Sequence, residues 1–164
     1  MTKVTTAHIL ADKALEQSCG QQCVDWAITM LEEGRDGHYL TMLAGMLPPY
    51  NHFELADLRD RSLRELGISN LDDSVAVCTF AAERLRLALA DEADLIEAVG
   101  AVKDLCIAQN YPKELYDFYL LYWAYSDLRD SECQWYWQGA TRENIDALIR
   151  QRVEQFLRET SVKI

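Results

Sequence analysis

Apolar residues recur at helical spacing along most of the chain, and the breaks in that pattern fall on glycine or proline. The stretch from Trp26 to Ile68 shows this best. Its three periodic segments close in turn on Gly34, on Pro48–Pro49 and on Gly67, the punctuation of consecutive short helices. In QQCVDWAITMLEEG the apolar residues Cys23, Trp26, Ala27, Met30 and Leu31 fall at i, i+3, i+4, i+7 and i+8, one stripe of an amphipathic helix. A preceding helix over 6–18 presents Ile9, Leu10, Ala14 and Leu15. A shorter one over 38–47 presents Leu40, Leu43, Ala44 and Leu47, and the prolines end it because they cannot continue the hydrogen-bond ladder.

Asn51 followed by Glu54 has the form of a helix start, so the next helix is predicted over 52–66. Leu55, Ala56, Leu58, Leu63 and Leu66 lie on one half of it, and Asp57–Arg61 and Asp60–Arg64 read as acid-before-base pairs on the other. Arg59 breaks the pattern by falling within the apolar half. The helix opened by Asp72–Asp73–Ser74, over 73–90, is apolar nearly all round apart from Thr79, Glu83 and Arg86, and is expected at the centre of the core. The acidic run at 91–94 separates it from a helix over 94–109, in which Gly100 predicts close packing against a neighbour. Pro112 suits a first helical position, and a helix over 113–126 follows with Asp117 as its main polar residue. Residues 127–140 read as a loop, and Thr141 as the N-cap of a last helix over 142–158.

No sustained alternation is flanked by hairpin turns, so no strand is predicted. The expected fold is all-α, with seven to eight helices stacked as antiparallel hairpins in a compact bundle or a short solenoid-like array, residues 1–164 forming one domain. The pairs at 20–47 and 51–90 resemble helical-repeat proteins in architecture alone, since no repeat aligns residue by residue.

Composition narrows the function classes. The chain is 49% apolar, enough for a substantial core, and has no apolar run long enough to span a bilayer. Its start, MTKVTTAHILADKALEQ, meets charges too early for a secretory signal, so a soluble, cytoplasmic protein is expected. Five scattered cysteines fit buried thiols in a reducing compartment. The net charge of −11 opposes binding to nucleic acid or to anionic membranes and allows a basic protein partner.

The candidate chemistry is sparse. Cys19 and Cys23 have CxxxC spacing without a second ligand pair, and His8, His38 and His52 belong to no metal-binding motif, although His38 and His52 bracket one short helix. No cofactor, metal or catalytic motif is expected. Arg59 must be paired or reach solvent, or else hold a ligand's carboxylate or phosphate. The segment Tyr111–Trp137 concentrates ten of the sixteen aromatic residues. Core filling alone could account for them, yet Tyr116, Tyr119, Tyr122, Trp123 and Tyr125 lie on several faces of their helix and, with Trp135 and Trp137 beyond, are hard to bury completely. Part of them is expected to form an exposed patch or line a pocket, to which Asp127, Asp130 and Glu132 would give a negative rim. The leading expectation is a non-enzymatic interaction module, binding a basic protein as an inhibitor or immunity-type protein does, or pairing with itself as a homodimer. The alternative is a small-molecule-binding or catalytic helical domain, with a pocket between the 51–67 helix and the aromatic helix and with Arg59, Tyr119 and Tyr122 as anchors.

Overall fold

The computed structural model describes residues 3–68, 70–90 and 95–160. Eight α-helices account for its regular structure, and no strand occurs among the described residues. The acidic run at 91–94 lies outside them. Helices consecutive in sequence pack in pairs within each part of the chain, as short connections require. The chain forms two compact units that divide between Ala76 and Val77, inside α5 (Asp73–Ala90).

The first unit is built from α1 (Thr6–Ala14), α2 (Gln21–Glu32), α3 (His38–Ala44), α4 (His52–Glu65) and the start of α5. Thr5 caps α1 by accepting from the His8 amide, and Asn51 caps α4 by accepting from the Phe53 and Glu54 amides at 3.0 and 3.2 Å. Gly34 and Gly67 adopt φ of 86° and 70° after α2 and α4, which lets Arg35 and Ile68 donate back to Met30 and Leu63 and satisfy the last-turn carbonyls. The stripe from each helix meets in one core around Ile9, Trp26, Leu40, Leu43, Leu55 and Leu63. Trp26 is fully buried, and its indole N–H donates to the Thr6 hydroxyl at 3.1 Å, so its polar edge is satisfied.

One contact fixes α3 on α4. The Glu65 carboxylate accepts from the His38, Tyr39 and Leu40 amides at 2.6, 3.1 and 3.3 Å, so a residue at the end of one helix caps the start of its neighbour. A Cβ at residue 37 would lie within 3 Å of that carboxylate, at 2.3 Å from an oxygen and 2.7 Å from its carbon, which is why the position is a glycine.

Four expectations are corrected in this unit. The first helix, expected to 18, ends at Ala14, and α3, expected to 47, ends at Ala44, ahead of the prolines, which leaves Leu47 79% exposed rather than on the apolar face. Cys19 and Cys23 are joined in a disulfide rather than free. Cys19 stands just before Gly20, the N-cap of α2, and Cys23 in the helix's first turn, which brings their Cα atoms to 6.1 Å, within disulfide range. On α4, Asp57 and Arg61 pair as expected at 2.8 Å, but Asp60 does not take Arg64, whose Nε instead donates to the Asp60 carbonyl.

The second unit contains the rest of α5 with α6 (Leu95–Ala108), α7 (Lys113–Asp130) and α8 (Ile145–Glu159). The aromatic helix runs one turn further than its sequence suggested, because Leu128 continues its apolar stripe and is buried. The last helix starts later than expected. Asn144 precedes it, and Thr141 does not cap it; the Thr141 amide donates to the Asn144 side chain at 2.7 Å, closing a separate turn first. Thr79 departs from the expected polar strip of α5 and is buried.

Candidate functional site

Arg59 and the aromatic segment lie in different units and are taken separately. Arg59 is 8% exposed, and its Nε donates to Asp60 Oδ1 at 3.0 Å. Lys13 from α1 reaches the same oxygen at 3.2 Å. Burial opposes ionisation of Asp60, but the hydrogen bonds and charges of Arg59 and Lys13 outweigh it and hold the carboxyl below its usual value. Asp12, also near Arg59, goes the other way: burial pushes it up despite His8, Gln22 and Arg59. The buried guanidinium is thus neutralised within a charged cluster joining α1 to α4, the arrangement a buried arginine needs.

The histidines do not converge. His52 Nδ1 lies 2.6 Å from the Cys19 carbonyl, His38 packs edge-on to Tyr39, and His8 pairs with Asp12 at 3.4 Å. Among the described residues no three His, Cys, Asp or Glu side chains are grouped to hold a metal. Of the other cysteines, Cys133 is exposed, whereas burial, helped by Glu114, pushes Cys78 up to about 11.

In the second unit the division of labour on α7 is clear. Leu115, Phe118, Leu121, Ala124 and Leu128 form its buried stripe, and Phe118 packs edge-on to Phe156 of α8 with centroids 5.1 Å apart. The tyrosines and Trp123 are therefore not needed for that stripe and lie off it. Tyr116 is 41% exposed, and Tyr119, Tyr122, Trp123 and Tyr125 are half-buried. The rings of Tyr111, Tyr116, Tyr119, Tyr122 and Trp123 form one connected array. Tyr116 stacks on Tyr119 at 5.7 Å, Tyr111 and Trp123 meet Tyr119 edge-on at 5.4 and 6.4 Å, and Tyr122 meets Trp123 at 5.4 Å. Lys103 of α6 places its ammonium 4.3 Å from the Tyr122 ring centre and pairs with Asp104 at 3.1 Å. The close approach predicted at Gly100 is to this ring, since a Cβ there would sit 2.9 Å from Tyr122 Cε2. Burial, then the neighbouring hydroxyls of Tyr111, Tyr136 and Tyr116, push Tyr119 above its ordinary value, so it is a neutral donor at physiological pH.

The loop after α7 is tied together by one side chain. Gln134 Nε2 donates to the Trp137 and Ala140 carbonyls at 2.6 and 3.3 Å, while its Oε1 accepts from the Tyr136 and Trp137 amides at 2.9 and 2.8 Å. Arg142 Nε donates to the Leu128 carbonyl at 2.8 Å, anchoring the loop's far end to the end of α7. On this frame Trp135 is 92% exposed and Tyr136 41%, while Trp137 is half-buried. Of the expected acidic rim, Asp130 and Glu132 are exposed and Asp127 is half-buried.

Sequence reasoning marked the aromatic residues but missed Lys103 and Gln134. A glutamine that organises a loop leaves no periodic trace, and Lys103 reads as an ordinary helix-surface charge. Among the described residues no helix is long and apolar enough to cross a membrane. The chain matches no protein-family model, no curated protein and no solved structure.

Proposed function

We propose that the chain is a non-enzymatic protein-interaction module whose contact surface is the Trp135 loop with the adjoining tyrosines. The observation that carries this is Trp135, 92% exposed on a loop whose backbone is already hydrogen-bonded through Gln134. An exposed tryptophan keeps apolar surface in unfavourable contact with water until something covers it, and a loop fixed beforehand loses little further entropy when it is covered. Tryptophan and tyrosine dominate the energetic centres of interfaces for these reasons. Asp130 and Glu132 beside it, within a chain of net charge −11, favour a basic partner, which an inhibitor or immunity-type protein would cover. A second copy of the chain is the other occupant of this surface. The cytoplasmic placement expected from cysteine usage loses that support through the Cys19–Cys23 disulfide, and this reading does not depend on compartment.

The test uses the whole protein and its Trp135→Ala variant as parallel baits in lysate of the source organism, with sedimentation of each alone. Because Trp135 supports no core, the variant keeps its melting temperature. A protein held by the wild type and lost from the variant supports the reading, as does self-association lost in the variant. Identical capture by both baits, with both monomeric, removes the loop from the account.

A further inference from the structure

At the start of α7 some of the same tyrosines, together with Lys113, form a groove that a basic protein partner does not explain. An open groove of about 550 Å³ is lined by Tyr111, Lys113, Tyr116 and Tyr119. That volume lies within the range of small-molecule sites. Its shape depends on the turn before the helix. Asn110 and Tyr111 both adopt left-handed backbone, with φ of 61° and 58°, and the Tyr111 ring meets Tyr119 edge-on at 89°. A bulky residue adopts that conformation at a conformational cost, and such costs collect where a side chain has to be aimed.

The charge of the groove is opposite to that of the chain. Among the described residues Lys3, Lys13 and Lys103 are ion-paired with Glu33, Asp60 and Asp104, whereas Lys113 has no carboxylate partner. Asp117, one turn further along α7, is held by Arg152 at 2.7 Å. Lys113 also occupies the first position of an 18-residue helix, where the macrodipole disfavours a cation. Lys113 is thus a lysine without a carboxylate partner in a groove otherwise lined by three tyrosines.

We propose that this groove binds a small anion carried on a planar aromatic ring, an aryl carboxylate or aryl phosphate. The ring lies against the tyrosine faces, and the anionic group meets the Lys113 ammonium, with tyrosine hydroxyls as further donors. Stacking supplies apolar contact that acetate lacks, and the charge supplies attraction that a neutral arene lacks.

The test titrates the full chain with benzoate, phenyl phosphate, neutral benzamide and acetate at constant ionic strength. Amide shifts around Tyr111–Tyr119 are followed by NMR, with calorimetry on any ligand that saturates. Benzoate or phenyl phosphate is expected to saturate those shifts, the pair showing which anion is preferred, and acetate and benzamide to bind much more weakly. Lys113→Gln, on an exposed side chain, should weaken the preferred anion about tenfold with the fold intact. Tyr116→Leu should weaken it too, while preserving the charge. The idea is wrong if neither aryl anion saturates, if benzamide equals benzoate, or if Lys113→Gln binds like the wild type. Trp135 does not line the groove, so Trp135→Ala leaves this binding unchanged, and failure here is separable from failure of the interaction surface.

Discussion

Arg59 sits inside a leucine stripe, and its cost there depends on Asp60. Because the folded carboxyl lies below its unfolded value of 3.8, the pair adds stability that is present above that value and lost as pH falls through the folded one. Asp60→Asn should therefore destabilise the protein at neutral pH by about 1 kcal/mol, discounted because the Asp60 side chain is 36% exposed. The difference from wild type should shrink as pH drops below the unfolded value, measured by urea unfolding at several pH values, and a constant difference would mean that charge is not the cause. That Arg59 needed a partner was legible, because a guanidinium on an apolar face cannot stay unpaired. Which partner was not, since i,i+1 side chains seldom face each other and Asp60 had been matched to Arg64 by spacing. The cysteines show the same limit. A count of five with no evident framework pointed to thiols, yet pairing depends on where Cys19 leaves the chain before α2. Thiol titration in denaturant without reductant should find three groups, Cys78, Cys106 and Cys133, and five would show that the bridge is absent.

At the scale of elements, the pattern located all eight helices because stripe, cap and breaker agreed, most fully at Asn51, Gly34 and Gly67. It failed where tertiary contacts decide an end. Leu128 extends α7 because there is core for it to enter, and the Thr141–Asn144 turn delays α8 because a side chain closes it. The cap of α3 was invisible for a related reason: its acceptor, Glu65, is 27 residues away from the His38 amide that it receives. Gly37 and Glu65 are then two halves of one contact. Glu65→Ala should cost about 1 kcal/mol by leaving three amides without their acceptor. Gly37→Ala should cost a comparable amount, because the new methyl displaces the carboxylate from them. The double variant should cost little more than either single change, a coupling readable from a double-mutant cycle of urea midpoints. Simple additivity would show that Gly37 matters for another reason.

For the whole molecule, composition was the most legible property and internal organisation the least. The two compact units divide within α5, between Ala76 and Val77, where no glycine or proline marks a change. The aromatic bias of Tyr111–Trp137 was plain, but its exposure was not, because Leu115, Phe118 and Leu121 fill the core-facing stripe without the tyrosines' help. The excess of 27 acidic over 16 basic residues makes a final expectation that joins stability to binding. Like charges repel in the compact state, and screening relieves that repulsion. Raising salt from low to high should increase the melting temperature by about 2–4 °C, equivalent to roughly 1 kcal/mol for a chain of this size. Capture of a basic partner depends on the same charges with the opposite sign, so it should weaken over the same salt range. Both responses measured on one preparation separate charge-guided binding from unfolding, since a protein that is gaining stability cannot be losing its partner through loss of structure. A partner retained equally at both salt levels would instead place the affinity in Trp135 and the tyrosines alone, with the acidic rim contributing nothing to it.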